Sequence, residues 1–189
     1  MSDEFAELPD NLPIPEDDGK ANSLLGRTIP SVILPSTKDN FLDLSKINKQ
    51  YGILYFFPGM NIPGKPLPSG WNDIPGARGC TPQNISFTKN YASLEKFDAT
   101  SIGISSQPIY ELEQLSSLRK FSQILVSDPK LEFHLRLDVP TFTVEDKTMY
   151  KRLTLIVKNS RIIKVFYPVF PPDKHIFEIL SWLEKNSVS

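Results

Sequence analysis

The sequence predicts an α/β fold in which a mixed central β-sheet carries helices on both faces. Apolar runs of strand length alternate with segments of helical periodicity along the 189 residues, which favours a sheet with a parallel portion. The run YGILYFFPG is apolar almost throughout, which is typical of a central strand covered on both faces. The last two apolar runs flank the polar turn 158–160, which predicts an antiparallel edge.

The first predicted elements are an arm and a small hairpin. Residues 1–22 are acidic and contain three prolines, so we expect an extended arm that is either disordered or wrapped over the domain. Residues 23–189 have the usual length of one folded domain. Near its start, two short apolar runs around the polar turn 36–40 predict the hairpin.

A long loop follows the central strand, and helices then alternate with strands. Residues 58–79 contain five prolines and five glycines, and we expect neither helix nor strand there. Helical periodicity predicts helices over 81–97 and 107–121, the second capped by Ser106. The apolar runs ATSIGISS and QILVSD predict the strands that come after these two helices.

The C-terminal part predicts a short helix, two strands and a final helix. LEFHLRLD has the helical pattern, and RLTLIV and RIIKVFYPV are the two strands. The final helix follows the prolines at 171–172, with Asp173 as its N-cap. Its apolar face consists of Ile176, Ile179, Leu180 and Leu183. A thioredoxin-like sandwich has this order of elements, and so do some other doubly wound folds.

The charge balance argues against two classes of partner. The formal net charge is -1, so the chain lacks the basic excess that nucleic acid or an anionic membrane surface would attract. The acidic N-terminus has no apolar core of the kind that a signal peptide needs. No apolar run approaches the length of a membrane span. We therefore expect a soluble cytoplasmic protein.

Cys80 is the only cysteine of the chain. A single thiol excludes an intrachain disulfide, a cysteine-rich zinc site and an internal dithiol pair, and it fits a reducing compartment. His134 and His175 lie far apart in the sequence and share no motif, so we interpret both as surface or packing residues. We expect neither a metal nor a cofactor.

The position of Cys80 favours a reactive thiol. It stands where the loop after the first central strand ends and a helix begins, at the sheet edge where open α/β sheets hold their ligands. Free N–H groups and the positive end of the helix dipole favour a thiolate over a thiol. Arg78 adds positive charge, and Gly79 gives the backbone freedom to enter the helix. The alternative is a buried, inert cysteine that packs as a small hydrophobic residue.

The segment PGARGCTPQNISF resembles the active-site segment of the peroxiredoxin superfamily, and most closely that of the peroxiredoxin Q, or bacterioferritin comigratory protein, branch. LLGRTIPSVILPSTKDNFLDLS resembles the N-terminal hairpin of that branch, and ILYFFPG, GISSQ and LVSD resemble its strands. YKRLTLIV is similar to the strand that the family's active-site arginine precedes, which places that role on Arg152. The resemblance implies a thioredoxin-like fold and extends from GRTIPS to WLEK.

The resemblance also implies thiol peroxidase chemistry at Cys80. As the peroxidatic nucleophile, its thiolate would attack hydrogen peroxide or an organic hydroperoxide and become a sulfenic acid. The guanidinium of Arg152 would stabilise the thiolate and the peroxide, and the backbone N–H groups of Gly79 and Cys80 would act as further donors. Arg78 would add electrostatic support. A monomer or a homodimer is compatible with the sequence.

Two positions before Cys80 depart from the family's pattern. Ala77 occupies the position of a Thr or Ser that orients the peroxide in the superfamily, and Asp73 occupies the position of a proline. Because the loop is longer than in the standard branch, a hydroxyl from Thr81 or Ser69 is the substitute that the sequence suggests.

A third departure concerns the second half of the reaction. Many relatives have a resolving cysteine five residues after the first, where this chain has Ile85. An active protein must then be of the one-cysteine type, re-reduced by an external thiol such as a thioredoxin-type protein or glutathione. The alternative is a catalytically weak or inactive thioredoxin-fold protein that senses oxidants or binds partners, which Ala77 and the missing resolving cysteine favour. A thiol transferase is a third reading, which Gln83 disfavours because it stands where such enzymes have Cys or Ser.

Overall fold

The computed structural model describes residues 5–187, so residues 1–4 of the predicted arm and the last two residues of the predicted domain lie outside it. The strands, in chain order, are β1 (Ile33–Pro35), β2 (Phe41–Asp43), β3 (Tyr51–Phe56), β4 (Ala99–Ser105), β5 (Ile124–Ser127), β6 (Thr141–Val144), β7 (Lys147–Tyr150), β8 (Leu153–Lys158) and β9 (Arg161–Phe166). The helices are α1 (Cys80–Lys89), α2 (Tyr91–Glu95), α3 (Ile109–Arg119), α4 (Glu132–Leu137) and α5 (His175–Asn186).

Five strands form the central sheet in the order β5-β4-β3-β8-β9. β3, β4 and β5 are parallel, whereas β8 runs antiparallel to β3 and β9 antiparallel to β8. All six residues of β3 are buried because both faces of the sheet are covered. The predicted thioredoxin-like α/β fold with a mixed sheet is confirmed.

The two faces of the sheet carry different layers. Along β3, Leu54 and Phe56 point into one apolar cluster, which α4 and the β1-β2 hairpin help to cover. Ile53 and Tyr55 point into the other cluster, which is covered by α1, α2, α3 and α5. Helices therefore lie on both faces, as predicted, but four of the five lie on the face to which Cys80 belongs.

The helix predicted over 81–97 is divided in two. α1 ends at Lys89 and α2 starts at Tyr91, with Asn90 between them outside the helical conformation. The side-chain amide of Asn90 donates to the carbonyl oxygen of Ser86 at 2.9 Å. Asparagine competes in this way with the backbone hydrogen bonds of a helix, which explains the interruption.

The hairpin of β6 and β7 was not predicted. Its strands are only four residues each and mostly half-buried or exposed, so they lack the apolar run by which the other strands were predicted. Its turn is formed by Glu145 and Asp146, which adopt φ of 46° and 61°. Turns of this geometry usually contain Asn or Gly, so the sequence gives little turn signal here.

Three smaller predictions are wrong: the N-caps of two helices and the absence of helix from the loop 58–79. α3 is preceded by Pro108 rather than capped by Ser106, because the Ser105 hydroxyl fixes the chain there by accepting from Gln107 N at 3.2 Å. α5 begins two residues after Asp173, because a turn closed by Lys174 N and the Pro171 carbonyl at 3.3 Å delays the helix. The loop 58–79 also contains a short 3₁₀ turn at Trp71–Asp73.

None of the helices within residues 5–187 is both long enough and apolar enough to cross a membrane.

Both histidines were predicted to be surface or packing residues. His175 is buried and packs in the interior, and His134 is half-buried. The side chain of His175 is 1% exposed, and its Nε2 lies 2.9 Å from Thr154 Oγ1. Its Nδ1 lies 2.9 Å from Glu178 Oε2. Since a carboxylate only accepts, these partners assign the ring proton to Nδ1. Burial lowers the pKa of His175 below its ordinary 6.5, although Glu178 acts in the opposite direction.

We expect this histidine to make stability fall in mild acid. With its pKa lower in the folded state than in the unfolded state, the unfolded chain takes up the proton first as the pH drops below about 6.5. The free energy of unfolding should then decrease by up to about 1.4 kcal/mol per pH unit. Urea denaturation at pH 7.5 and pH 5.5 measures this loss. His175→Gln should show a smaller loss than the wild type, and equal losses would contradict the assignment.

Candidate active site

The fold places Cys80 at the first position of α1, beside the carboxyl end of β3. Gly79 precedes it with φ 101° and ψ 15°, a left-handed conformation that glycine adopts without steric cost. The loop 58–79 that ends at Gly79 begins directly after Phe57. Phe57 N still donates to the Ile104 carbonyl of β4 at 3.0 Å, so the loop leaves the sheet at the carboxyl end of β3. This is the sheet edge at which the sequence predicted a ligand site.

Two donors converge on the sulfur of Cys80, whose side chain is 3% exposed. Arg152 Nη2 lies 3.1 Å from Sγ, and the backbone N–H of Gly59 donates to Sγ at 3.5 Å. On the opposite side, the carbonyl oxygen of Ala77 lies 3.6 Å from Sγ and can accept the proton of the thiol form. A cationic donor and a backbone donor both stabilise the ionised sulfur.

Arg152 lies between β7 and β8 and is 3% exposed. Its Nη2 also donates to the carbonyl oxygens of Gly76, Ala77 and Arg78 at 3.2, 3.3 and 3.2 Å, which fixes the last turn before the cysteine. Its Nη1 donates to Oε1 of Gln83. The side chain of Arg152 makes no ion pair with a carboxylate of residues 5–187. A thiolate at Cys80 would be the one anion of the described site to balance this buried charge.

The remaining predicted residues lie around the same sulfur. Thr81 is 3% exposed, and Arg78 is half-buried. Both line a cavity of about 10 Å³ that also touches Cys80. Ser69, the other suggested hydroxyl, is exposed and does not line this cavity; its backbone N–H donates to Glu145 Oε1 at 2.8 Å. The structure thus brings together every predicted residue except Ser69.

Several contacts at this site were not predicted from the sequence. Gly59 lies at the start of the long loop, 21 residues before the cysteine. No local sequence pattern predicts that its N–H contacts the sulfur. Gln83 is fully buried and holds Arg152. Its spacing of three residues from Cys80 places it on the same side of α1, which is a signal that the sequence does contain.

The cavity at Cys80 has about the size that one water molecule needs. It is lined by Phe5, Gly59, Asn61, Trp71, Arg78, Gly79, Cys80, Thr81 and Pro82. A larger groove of about 520 Å³ shares Gly59, Asn61 and Trp71 with it and extends along the start of α3. The small cavity at the sulfur and the larger groove are therefore adjacent.

Part of the predicted arm lies over the site. The ring of Phe5 lies 4.8 Å from the guanidinium carbon of Arg78 and covers one side of the small cavity. Further along, Asp18 accepts hydrogen bonds from Lys151 Nζ and Tyr167 Oη, both at 2.7 Å. Burial of the Asp18 carboxyl opposes its ionisation, but these two hydrogen bonds outweigh burial and hold its pKa well below the ordinary value. The arm is therefore bound at Lys151, the residue that precedes Arg152.

Nothing in the described part of the chain resembles a metal centre: no three His, Cys, Asp or Glu side chains of residues 5–187 converge.

Comparison with known proteins agrees with this geometry. The chain is 24% identical over 180 residues to the chloroplastic peroxiredoxin Q of Populus jackii, covering 92% of this chain and 76% of the relative. It is 25% identical over 160 residues to that of Sedum lineare, covering 84% and 77% of the two chains.

Solved structures show the same fold. Peroxidoxin BcpB from Mycobacterium tuberculosis superposes with a TM-score of 0.69 at 21% identity, covering 86% of this chain and 97% of that chain. A mutant of PrxQ from Xylella fastidiosa superposes with a TM-score of 0.70 at 22% identity, covering 87% and 97%. The family model Redoxin matches residues 24–180. The chain belongs to the Redoxin family, and the predicted membership of the peroxiredoxin superfamily, in its peroxiredoxin Q branch, is confirmed.

Proposed function

We propose that this protein is a one-cysteine thiol peroxidase that reduces hydrogen peroxide or organic hydroperoxides at Cys80. Peroxiredoxins are thiol-dependent peroxidases, so membership of the superfamily supports peroxidase chemistry in general. The observation that carries the finer proposal is the buried guanidinium of Arg152, which lies 3.1 Å from Sγ and has no carboxylate partner among the described residues. A buried cation of this kind favours a sulfur that is ionised and ready to attack.

The first step forms a sulfur–oxygen bond and breaks the peroxide bond. The Cys80 thiolate attacks the terminal oxygen of the hydroperoxide, which keeps its hydrogen and becomes the oxygen of a sulfenic acid. The other oxygen leaves with the electron pair and takes a proton from solvent, giving water or an alcohol. Negative charge moves from the sulfur to the leaving oxygen, and Arg152 and the Gly59 N–H are donors beside the sulfur at which the attack begins.

The second step needs a thiol from outside the chain. Ile85 occupies the position at which a resolving cysteine was expected, and Cys80 is the only cysteine. An external thiolate attacks the sulfenic sulfur and expels hydroxide, which is protonated to water, leaving a mixed disulfide. A second thiol then releases reduced Cys80 and carries away the disulfide. Glutathione and a thioredoxin-type protein are the reductants we propose.

A stoichiometric oxidation tests this function. Reduced protein mixed with excess hydrogen peroxide for a short time should consume one peroxide and one thiol per chain, and a sulfenic acid should be trapped by a dimedone-type reagent. Glutathione added afterwards should give a mixed disulfide and then renewed peroxide consumption. Cys80→Ser should consume no peroxide. Consumption that survives in Cys80→Ser would overturn the proposal.

A catalytically weak redox sensor is the second candidate, and two observations favour it. Ala77 supplies no hydroxyl beside the sulfur, and the 3% exposure of Cys80 restricts the approach of a reductant. The same experiment separates the two functions. A sensor should form the sulfenic acid but remain oxidised when glutathione or a thioredoxin-type protein is added, whereas a peroxidase should turn over.

A further inference from the structure

We propose that the side-chain amide of Asn61 donates a hydrogen bond to the peroxide bound at Cys80. Asn61 would then orient the substrate in a chain whose Ala77 has no donor to offer. This inference rests on the proposed function and adds to it a residue that contacts the reacting molecule.

The first observation is a buried donor without a partner. The Nδ2 atom of Asn61 is shielded from solvent and makes no hydrogen bond to any of residues 5–187. Leaving an amide N–H unpaired away from water costs free energy, so buried polar groups in folded proteins are nearly always paired. A donor that the protein leaves unpaired is therefore available to a ligand that brings its own acceptor.

The second observation is the place of the residue that carries this donor. Asn61 lines the cavity of about 10 Å³ at Cys80, and it also lines the groove of about 520 Å³ that adjoins the cavity. It stands at the junction between the wider approach and the sulfur. Room for one water-sized group next to Cys80 suits one oxygen of a hydroperoxide, with the rest of the molecule in the groove. Both peroxide oxygens accept hydrogen bonds.

The third observation is that the backbone around Asn61 is held in place. Gln107 Oε1 accepts from Met60 N at 2.7 Å, and Gln107 Nε2 donates to the Met60 carbonyl at 3.0 Å. Met60 and Ile62, the two neighbours of Asn61, are 3% and 8% exposed and belong to the same apolar cluster as Cys80. Donors fixed before the substrate arrives need no reorganisation during the reaction. Gln107 is thus a positioning residue for Asn61.

A neutral donor at this point has a specific task. Arg152 Nη2 is already shared among the sulfur and three backbone carbonyls, so its remaining capacity for the substrate is limited. The amide of Asn61 can stabilise the charge that develops on the peroxide without competing for those acceptors. Because it acts on the substrate rather than on the thiolate, its removal should slow oxidation by peroxide but leave alkylation of Cys80 nearly unchanged.

Two reactions of one variant test this inference. Asn61→Leu keeps the size of the side chain but removes the donor. Its second-order rate constant with hydrogen peroxide should fall by roughly 10- to 100-fold, within the range seen when a single positioned donor is removed. Its rate of alkylation by iodoacetamide should change by less than about threefold, since the Arg152 contact to the sulfur remains. Asn72→Leu, an exposed residue of the same loop outside the cavity, should match the wild type in both reactions.

The outcomes separate this inference from the proposed function. A wild-type protein that peroxide oxidises no faster than free cysteine overturns both. If the wild type reacts rapidly and Asn61→Leu reacts equally fast, only the role of Asn61 is overturned. If Asn61→Leu loses both reactions to the same extent, its role is structural. If Thr81→Val slows the peroxide reaction and Asn61→Leu does not, Thr81 is the orienting donor.

Discussion

Arg152→Met is expected to slow the oxidation of Cys80 by hydrogen peroxide by roughly 10²–10³-fold, the usual effect of removing one preorganised donor from a reacting centre. The variant keeps an apolar side chain in the buried position but removes the cation that lies 3.1 Å from Sγ. It also releases the carbonyl oxygens of 76–78, so the turn before the cysteine loses its fixed shape. Stopped-flow fluorescence measures the rate, because Trp71 lines the cavity at the sulfur.

Two further variants show whether the slower oxidation depends on the planar guanidinium of Arg152 or only on a positive charge near the sulfur. Arg152→Lys keeps the charge but not the planar fork, so we expect an intermediate rate. Arg78→Met removes a charge whose guanidinium stacks on Phe5, and we expect a smaller loss than in Arg152→Met. Alkylation by iodoacetamide should also slow in Arg152→Met, in contrast to Asn61→Leu. A rate equal to that of the wild type in Arg152→Met would remove Arg152 from the mechanism.

Gly79→Ala is expected to lower the free energy of unfolding and to slow the reaction of Cys80. The backbone at Gly79 has φ 101°, and a Cβ placed there would lie 2.5 Å from Pro172 Cγ and 2.6 Å from Leu8 Cδ2. Strained backbone of this kind costs about 1–3 kcal/mol, and the crowding against Pro172 adds to it. Urea denaturation measures the loss of stability. The reactivity of the thiol should fall because the helix start and its donors are displaced.

Gly26→Ala is the matched control for this prediction. Gly26 also has a left-handed φ, 81°, but an added Cβ would meet no atom within 4 Å. Its substitution therefore measures the backbone strain without the crowding, and peroxide reactivity should remain at the wild-type level. If Gly79→Ala destabilises the protein no more than Gly26→Ala, the close approach of Pro172 and Leu8 has no energetic consequence.

The sheet and the position of the thiol could be predicted because their signals are local. A continuous apolar run specifies a strand buried on both faces, as in β3, and a change from a Gly- and Pro-rich loop to helical periodicity specifies a helix start at Cys80. The break between α1 and α2 was missed because it depends on one hydrogen bond, from the Asn90 side-chain amide to the Ser86 carbonyl, which does not disturb the apolar periodicity. The pairing of Thr143 with Thr148 across the β6-β7 hairpin was missed because its strands are short and lack a continuous apolar run.

The completed site depends on contacts between distant segments, which one sequence does not display. Arg152 was assigned from a resemblance, since no local pattern links it to a cysteine 72 positions away. The Gly59 N–H contacts the sulfur, and Asn61 lines the cavity, only because the long loop folds back. Gln107, which lies just before α3 and 47 residues from Met60, holds that loop.

The second-order rate constant of Cys80 with hydrogen peroxide tests most directly whether the buried Arg152–Cys80 pair makes this thiol a peroxide reductant. At pH 7, with free cysteine as the reference in the same buffer, the wild-type protein should react at least about 10²-fold faster. Most of that advantage should disappear in Arg152→Met. A wild-type rate constant no greater than that of free cysteine would contradict the assignment of Cys80 as a peroxidatic residue.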